Sequence, residues 1–390
     1  MDVVSRLEDA LEAAVALYEI EDEAALKRRY QLGVTSHVVV ADGRRYDADL
    51  LGRLVLASLP ASRDAPPSEG DARHAVLQAA GVRVVPLRDW SAEDERAWRL
   101  DAWRTLRARP RIDARWLRAR GLFGGAQGIW VDKVRTQTLE ALGVAVSVLH
   151  TGRHYADDLD ERMVIYHYPE TSRPPSRDSN EVQAVKNAAE LGLPIFVIAE
   201  SPGGSRRVEL AWVAAADDSA RAFLMEFAET EPRHIDFSPP SDDEPFILTG
   251  ARRRRRVERD VLERDTEFKF RLLRRYEGSC AITGVGVPEV LDGAHVVPVE
   301  KGGTDDERNG LLLTATLHRA FDANLWALDP RTLQVVTRGR GPTFGELQVT
   351  ATSLRVNAKP PHRDALDWRY RQFRRKSKEP LDETLEELAL

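Results

Sequence analysis

The stretch from Cys280 to Asp329, CAITGVGVPEVLDGAHVVPVEKGGTDDERNGLLLTATLHRAFDANLWALD, constrains the fold more tightly than any other part of this chain. An apolar strand ends in His295 and Pro298, a polar glycine-rich loop follows, Asn309-Gly310 opens a second apolar strand, and the next segment is a helix bearing His318. The pattern predicts a hairpin followed by a helix. Asp322 lies four residues beyond His318, so both side chains share one helical face, within reach of one ion.

This layout resembles the ββα-metal motif of HNH nucleases, in the subgroup with AHxxP, NGLLL and LHRAFD elements. The resemblance implies hydrolysis of a phosphodiester, which needs an activated water in line with the leaving oxygen and a cation to neutralise charge developing on the phosphate. His295 matches the first histidine of the motif and is expected to act as general base, for which an imidazole has a suitable ordinary pKa. Asn309 matches the central asparagine, an orienting group whose amide bonds backbone across the hairpin. His318 matches the last histidine and is expected to bind a divalent metal, Mg²⁺ or Mn²⁺. Many relatives carry Asp or His directly before the base histidine as a further ligand; here that residue is Ala294, which leaves Asp322 or Asp292 to complete the metal site.

Upstream, short strands alternate with glycine-rich turns from Gly121 to about Glu229. Val144–Leu149, Met163–Tyr168, Pro194–Ile198 and Val208–Val213 read as strands, and Glu181–Leu191 as a helix ended by Gly192. The runs GGAQGIWVDK, SVLHTGRHYADDLDERMVIYHYP and SRDSNEVQAVKNAAELGLPIFVI resemble the SRA domain, a PUA-type barrel that flips a modified cytosine out of duplex DNA. The resemblance, clearest at HYADDLD, implies that Tyr155 stacks on the flipped base and that Asp158 accepts its exocyclic amine, with Tyr166 as the second aromatic wall. An extruded base does need an aromatic face and a matched hydrogen-bond edge. The glycine-rich segment that follows in the family is replaced by YHYPETSRPPS, and Arg177-Asp178 match a later RD pair.

Residues 1 to 90 read as a compact α+β module: an amphipathic helix, a hairpin of Val38–Val40 and Arg44–Tyr46 around Asp42-Gly43, a helix, and a strand at Val82–Val85. The runs YEIEDEAALKRRYQLG, VVADGRRYDADLLG and EGDARHAVLQAAGVRVV are similar to the head domain of some bacterial HNH restriction enzymes. Relatives often carry a lysine where this chain has Asp47, Ala48 and Asp49, so scaffold and DNA-contacting roles stay open. Residues 91 to 120 read as helical, with Trp98, Trp103 and Trp116 as apolar anchors packing on a neighbouring domain. The proline- and aspartate-rich residues 230 to 250 read as a linker, and 251 to 390 as the nuclease with flanking basic helices.

The expected fold is therefore α+β in three parts: head module, β-rich SRA-like barrel at 121–229, and C-terminal ββα-metal nuclease. A formal charge of −6 excludes a protein that coats nucleic acid over its whole surface, so local charge is the better guide. Between Arg252 and Tyr276 eleven basic residues face five acidic ones, and Arg252, Arg253, Arg254, Arg255 and Arg256 are expected to contact phosphates without specifying sequence. A second basic helix is expected near Arg369 to Lys378. The lone Cys280 excludes an internal disulfide and a cysteine-rich zinc site, and reads as a small buried residue.

No apolar run is long enough to span a membrane and the start, MDVVSRLEDALEAAV, is acidic and helical, so a cytoplasmic protein is expected. The leading function is cleavage of double-stranded DNA carrying modified cytosine, with a homodimer as one way to cut both strands. The rivals are a nuclease of unmodified or damaged DNA, and a non-catalytic DNA-binding protein.

Overall fold

The computed structural model describes residues 3–21, 23–41, 43–59, 70–125, 128–150, 159–201, 204–232, 237–241, 244–250, 266–338, 342–347 and 349–377. The chain opens with helices α1 (Val3–Ile20) and α2 (Glu23–Arg29), strands β1 (His37–Ala41) and β2 (Arg44–Asp47), helices α3 (Ala48–Ser58) and α4 (Gly70–Ala79), and β3 (Val84–Pro86). It continues through α5 (Ala92–Arg107), α6 (Ala114–Ala119), β4 (Ile129–Val131), α7 (Lys133–Thr136), β5 (Ala145–His150), β6 (Met163–His167), α8 (Pro175–Glu190), β7 (Ile195–Glu200), β8 (Arg206–Asp217) and β9 (Ala222–Phe227). The remainder contains α9 (Thr266–Arg275), β10 (Leu291–His295), β11 (Gly310–Thr314), α10 (Ala315–Asp322), β12 (Trp326–Leu328), β13 (Val335–Thr337) and α11 (Arg363–Ser377).

Two compact units interleave along the chain. The first takes Met1–Gly152, Pro169–Val213 and Phe227–Pro232; the second takes Arg153–Tyr168, Ala214–Glu226 and Arg233–Leu390. In the first unit the expected hairpin is present, pairing Val38 with Asp47 and Ala41 with Arg44, and β3 adds to the free side of β1. Helices α1, α3 and α4 bury Ala14, Tyr18, Leu51, Leu54, Val55 and Leu77 in one core. Asp47 caps α3, accepting from the Leu50 amide at 2.9 Å, and its carboxylate also meets Lys27 Nζ at 2.6 Å. That N-terminal aspartate is thus spent inside the module.

A second core in this unit gathers Trp98 and Trp116 with Val146, Phe196, Ile198 and Leu210, and Trp103 packs against it half-buried. At its edge Arg45 and Glu95 are fully buried and paired at 2.9 Å, and Arg45 also reaches Asp132 at 3.0 Å. Glu95 accepts from Trp90 Nε1 and Arg99 Nε, each at 2.9 Å, while Arg99 donates to the carbonyls of Ala145 at 2.9 Å and Pro194 at 2.7 Å. Glu95 and Arg99 together therefore tie the hairpin, α5 and the ends of two strands. The Arg45 guanidinium also lies 3.7 Å from the Trp98 ring centroid, a cation–π contact.

Strands β5 and β7 pair in parallel, Ser147 opposite Phe196, joined by the α8 crossover; β4 and β8 flank them antiparallel. Helix α8 begins six residues earlier than its apolar spacing suggests. Pro175 opens it, where a missing N–H costs nothing, and the Asp178 carboxylate accepts from the Thr171 amide and hydroxyl and from Arg173. Strands β4 and β9 were not expected from the sequence, because β4 is only three residues long and β9 is apolar on both faces, so neither alternates clearly. The sheets are open, and none closes on itself among the described residues.

In the second unit β9 pairs with β6, Tyr166 opposite Phe223. One core holds Met163, Ile165, Phe270, Leu272, Tyr276, Leu311, Leu313, Leu317, Phe321 and Trp326. Cys280 is completely buried there, its sulfur accepting from the Thr283 amide at 3.4 Å. Several cations of the two expected basic segments are engaged within the protein. Arg271 pairs with Glu267, Arg274 with Asp217 and Arg275 with Glu307, at 2.8, 2.9 and 3.0 Å. Arg369 is buried, its guanidinium 3.9 Å from the Phe321 ring centroid and donating to the Phe321 carbonyl. Arg252 to Arg256 and Lys378 lie outside the described residues.

Candidate active site

Strands β10 and β11 pair antiparallel from Leu291 opposite Thr314 to His295 opposite Gly310. Helix α9 lies directly on this hairpin, and Gly310 permits the approach: a Cβ there would sit 2.6 Å from Leu272 Cδ2 and 2.7 Å from Phe268 Cζ. Asn309, fully buried at the hairpin mouth, accepts from the Val297 amide at 2.9 Å and donates to the carbonyls of Val297 at 3.1 Å and Thr304 at 2.9 Å. Its own carbonyl accepts from the Val296 amide at 2.7 Å. Both ends of the loop after His295 are thereby closed by one side chain. The amide does bond backbone across the hairpin.

His295 ends β10 with its ring stacked on Phe268, centroids 3.8 Å apart and planes 11° from parallel. Its Nε2 lies 3.0 Å from Asp305 Oδ1, a distance at which a hydrogen bond to a carboxylate is well formed. The loop carrying Asp305 is itself fixed. Asp306 accepts from the Arg308 amide at 2.8 Å, and the Arg308 guanidinium, bound to Asp306, donates to the Glu244 carbonyl at 2.9 Å. Burial opposes ionisation of Asp306, but the Arg308 hydrogen bonds and charge outweigh it and hold the carboxyl below its usual range.

Helix α10 presents His318 and Asp322 side by side, as their spacing requires: Nε2 of His318 lies 3.2 Å from Asp322 Oδ2. The other ring nitrogen, Nδ1, lies 3.2 Å from Asp292 Oδ2 on β10. Burial alone would raise the Asp292 carboxyl; the His318 hydrogen bond and charge, with Lys269 and Arg319, hold it below the usual range. Ala294 is fully buried and offers no donor. One imidazole nitrogen and one carboxylate at 3.2 Å, both partly exposed, form a donor pair that fits a divalent ion with waters completing its shell. An Asp292 carboxylate on the remote nitrogen is the partner that fixes the tautomer of a metal-binding histidine.

Two residues at this site have roles that the sequence reading missed. Asp305 sits in a loop of consecutive acids, and only the folded loop brings it to His295; its position in GGTDDERNG was the available signal. Phe268 lies in α9, far in sequence from the hairpin. The residues expected to read a base are less completely placed. Tyr155 and Asp158 lie outside the described residues. Tyr166 is buried in β6 on the face opposite Met163 and Ile165. On its own face, Tyr168 packs on Phe223 with centroids 4.6 Å apart and donates to Asp218 at 2.9 Å, so Tyr168 is tied into the second unit.

Residues 280–329 match the sequence profile of an HNH endonuclease family. No curated protein sequence matches the chain. Among solved structures, a modification-dependent restriction endonuclease, TagI, is 19% identical, with 67% of this chain and 90% of that chain covered at a TM-score of 0.27. The type IV phosphorothioation-dependent restriction endonuclease ScoMcrA is 12% identical, with 95% of this chain and 99% of that chain covered at a TM-score of 0.23. The chain thus carries an HNH endonuclease domain, and no described helix is long and apolar enough to cross a membrane.

Proposed function

We propose that this chain is a modification-dependent, type IV restriction endonuclease of the cytoplasm that cleaves double-stranded DNA carrying modified cytosine. The observation that carries the nuclease half of this reading is the pairing of His295 with Asp305 on the same hairpin and helix assembly that holds His318 beside Asp322. In this reading Asp305 holds the His295 ring and stabilises the imidazolium formed when Nδ1 takes the proton of the attacking water. Phe268 confines the ring to one plane, and Asn309 keeps the hairpin mouth closed. His318 Nε2 and Asp322 would hold Mg²⁺ or Mn²⁺, with Asp292 orienting His318; the ion supplies neutralisation of charge on the phosphate. Residues 252 to 256 would grip phosphates, and a homodimer would cut both strands.

The reading half rests on the HYADDLD element and its likeness to SRA domains, with residues 121–229 as the base-reading region, 1–90 as the head module, 91–120 as a connector, 230–250 as a linker and 251–390 as the nuclease. Tyr155 and Tyr166 would sandwich the flipped base and Asp158 accept its amine. The test compares cleavage of matched plasmids, unmodified and carrying each cytosine modification, with Mg²⁺, Mn²⁺ or chelator. Tyr155→Ala and Asp158→Ala are expected to abolish the preference while leaving basal cutting, since stacking on one base is worth about 1 to 3 kcal/mol, roughly 5- to 150-fold. Undiminished discrimination by both variants would place reading elsewhere in the chain.

Asp305→Asn provides a separate test of the catalytic arrangement. It is expected to lower kcat by roughly 10- to 100-fold, the range for groups that orient a reacting imidazole, with KM for DNA little changed. Steady-state kinetics on one plasmid decides it; an unchanged kcat would make the contact merely structural.

A further inference from the structure

The first unit contains a cluster of metal-binding side chains that the nuclease chemistry does not use. His37 at the start of β1, Asp49 in the first turn of α3 and His74 on α4 each bring one donor atom within 4.8 Å of the other two. His74 Nε2 lies 3.4 Å from Asp49 Oδ1, and the two imidazole rings have centroids 4.4 Å apart. All three residues are half-buried.

Two further features bear on what this cluster can hold. Ser36 Oγ lies 2.9 Å from His37 Nδ1 and donates to Asp49 Oδ2 at 3.4 Å. A hydroxyl has one hydrogen, so when it is given to Asp49 the oxygen must accept from His37 Nδ1–H, which fixes one tautomer of His37 and leaves its Nε2 lone pair able to bind an ion. The second feature is the crossing of α3 and α4. A Cβ at Gly52 would lie 2.4 Å from the Arg73 carbonyl oxygen, so the two backbones touch one turn after Asp49 and one residue before His74. Only glycine at that position lets the carboxylate and the imidazole meet.

We propose that His37, Asp49 and His74 form a three-ligand site for a divalent transition-metal ion of the zinc class, distinct from the ion of the nuclease. Two imidazole nitrogens with one carboxylate suit such an ion and disfavour Mg²⁺ or Ca²⁺, which prefer all-oxygen shells. Three protein ligands leave one position for water or an incoming group. Arg73 Nη1, 3.3 Å from Asp49 Oδ1, is the cation that an incoming ion must displace. Arg73 therefore sets the affinity from below.

The test uses the full chain carrying His318→Ala and Asp322→Ala, so that the nuclease donor pair is silent, and titrates Zn²⁺ and Mg²⁺ calorimetrically. One Zn²⁺ per chain is expected, with no Mg²⁺ bound, and with Zn²⁺ raising the melting temperature. Adding His74→Gln or His37→Gln should weaken Zn²⁺ by at least about tenfold while the metal-free melt stays that of the background. Arg73→Met should tighten binding, a gain that misfolding cannot imitate. Absence of Zn²⁺ binding in the silenced background, or an affinity that none of the three variants alters, would overturn the site.

Discussion

His295→Ala is expected to lower the cleavage rate by about 10²- to 10⁴-fold while leaving DNA affinity within about twofold of the parent. The loss corresponds to about 3 to 5 kcal/mol of transition-state stabilisation. The geometry explains why the effect should fall on rate. His295 has its ring clamped against Phe268 and its Nε2 bonded to Asp305, so the ring is held in one orientation, as the proposed base role requires. Alanine removes the imidazole without touching the Asn309 hydrogen bonds that close the loop, so the fold around the site should persist. Single-turnover cleavage together with filter binding of the same duplex separates the two quantities. Equal loss of binding and rate would mean that His295 grips the substrate, and full activity would remove it as the base.

The second large effect concerns stability, far from the reacting groups. Glu95→Ala is expected to destabilise the first unit by about 3 to 5 kcal/mol, the range for removing one partner of a buried ion pair. Burial pulls the Arg45 guanidinium down to about 10, against the raising influence of Glu95, and still leaves it charged at neutral pH. Without Glu95, two buried guanidinium groups and the Trp90 N–H lose their common acceptor. Glu95→Gln should cost less, because it keeps the volume and one oxygen. Urea denaturation of both variants gives the comparison, and a change below about 1 kcal/mol for Glu95→Ala would mean that the arginines find water instead.

These two sites differ in how much of them the sequence discloses. The hairpin, the α10 helix and the pairing of His318 with Asp322 follow from alternation and from four-residue spacing, because they depend on neighbours in the chain. The amide bonds of Asn309 to Val297, twelve residues back along the chain, were legible only through the likeness to the HNH motif. Asp305 was not, since its contact with His295 depends on how a ten-residue separation folds back, which no periodicity encodes. The Arg45–Glu95–Arg99 network was still less accessible. Arginine on a polar-looking strand or helix reads as solvated, and only tertiary packing shows that Arg45 and Arg99 are fully buried. The same blindness made Arg369 and Arg274 look like members of basic faces. The open sheet around β5 and β7 adds a different lesson: strands can be located one by one while the way they close, or fail to close, stays undetermined.

The sealed position of Cys280 has a practical consequence. It is the only thiol of the chain and has no exposed surface, so an alkylating reagent can reach it only when the nuclease core opens. Its alkylation rate is therefore a built-in clock for that opening, readable by mass spectrometry without any introduced probe. Conversely, a cysteine placed anywhere on the surface would be the single site that takes up a dye in the folded protein, which makes the natural chain a ready background for site-specific fluorescence.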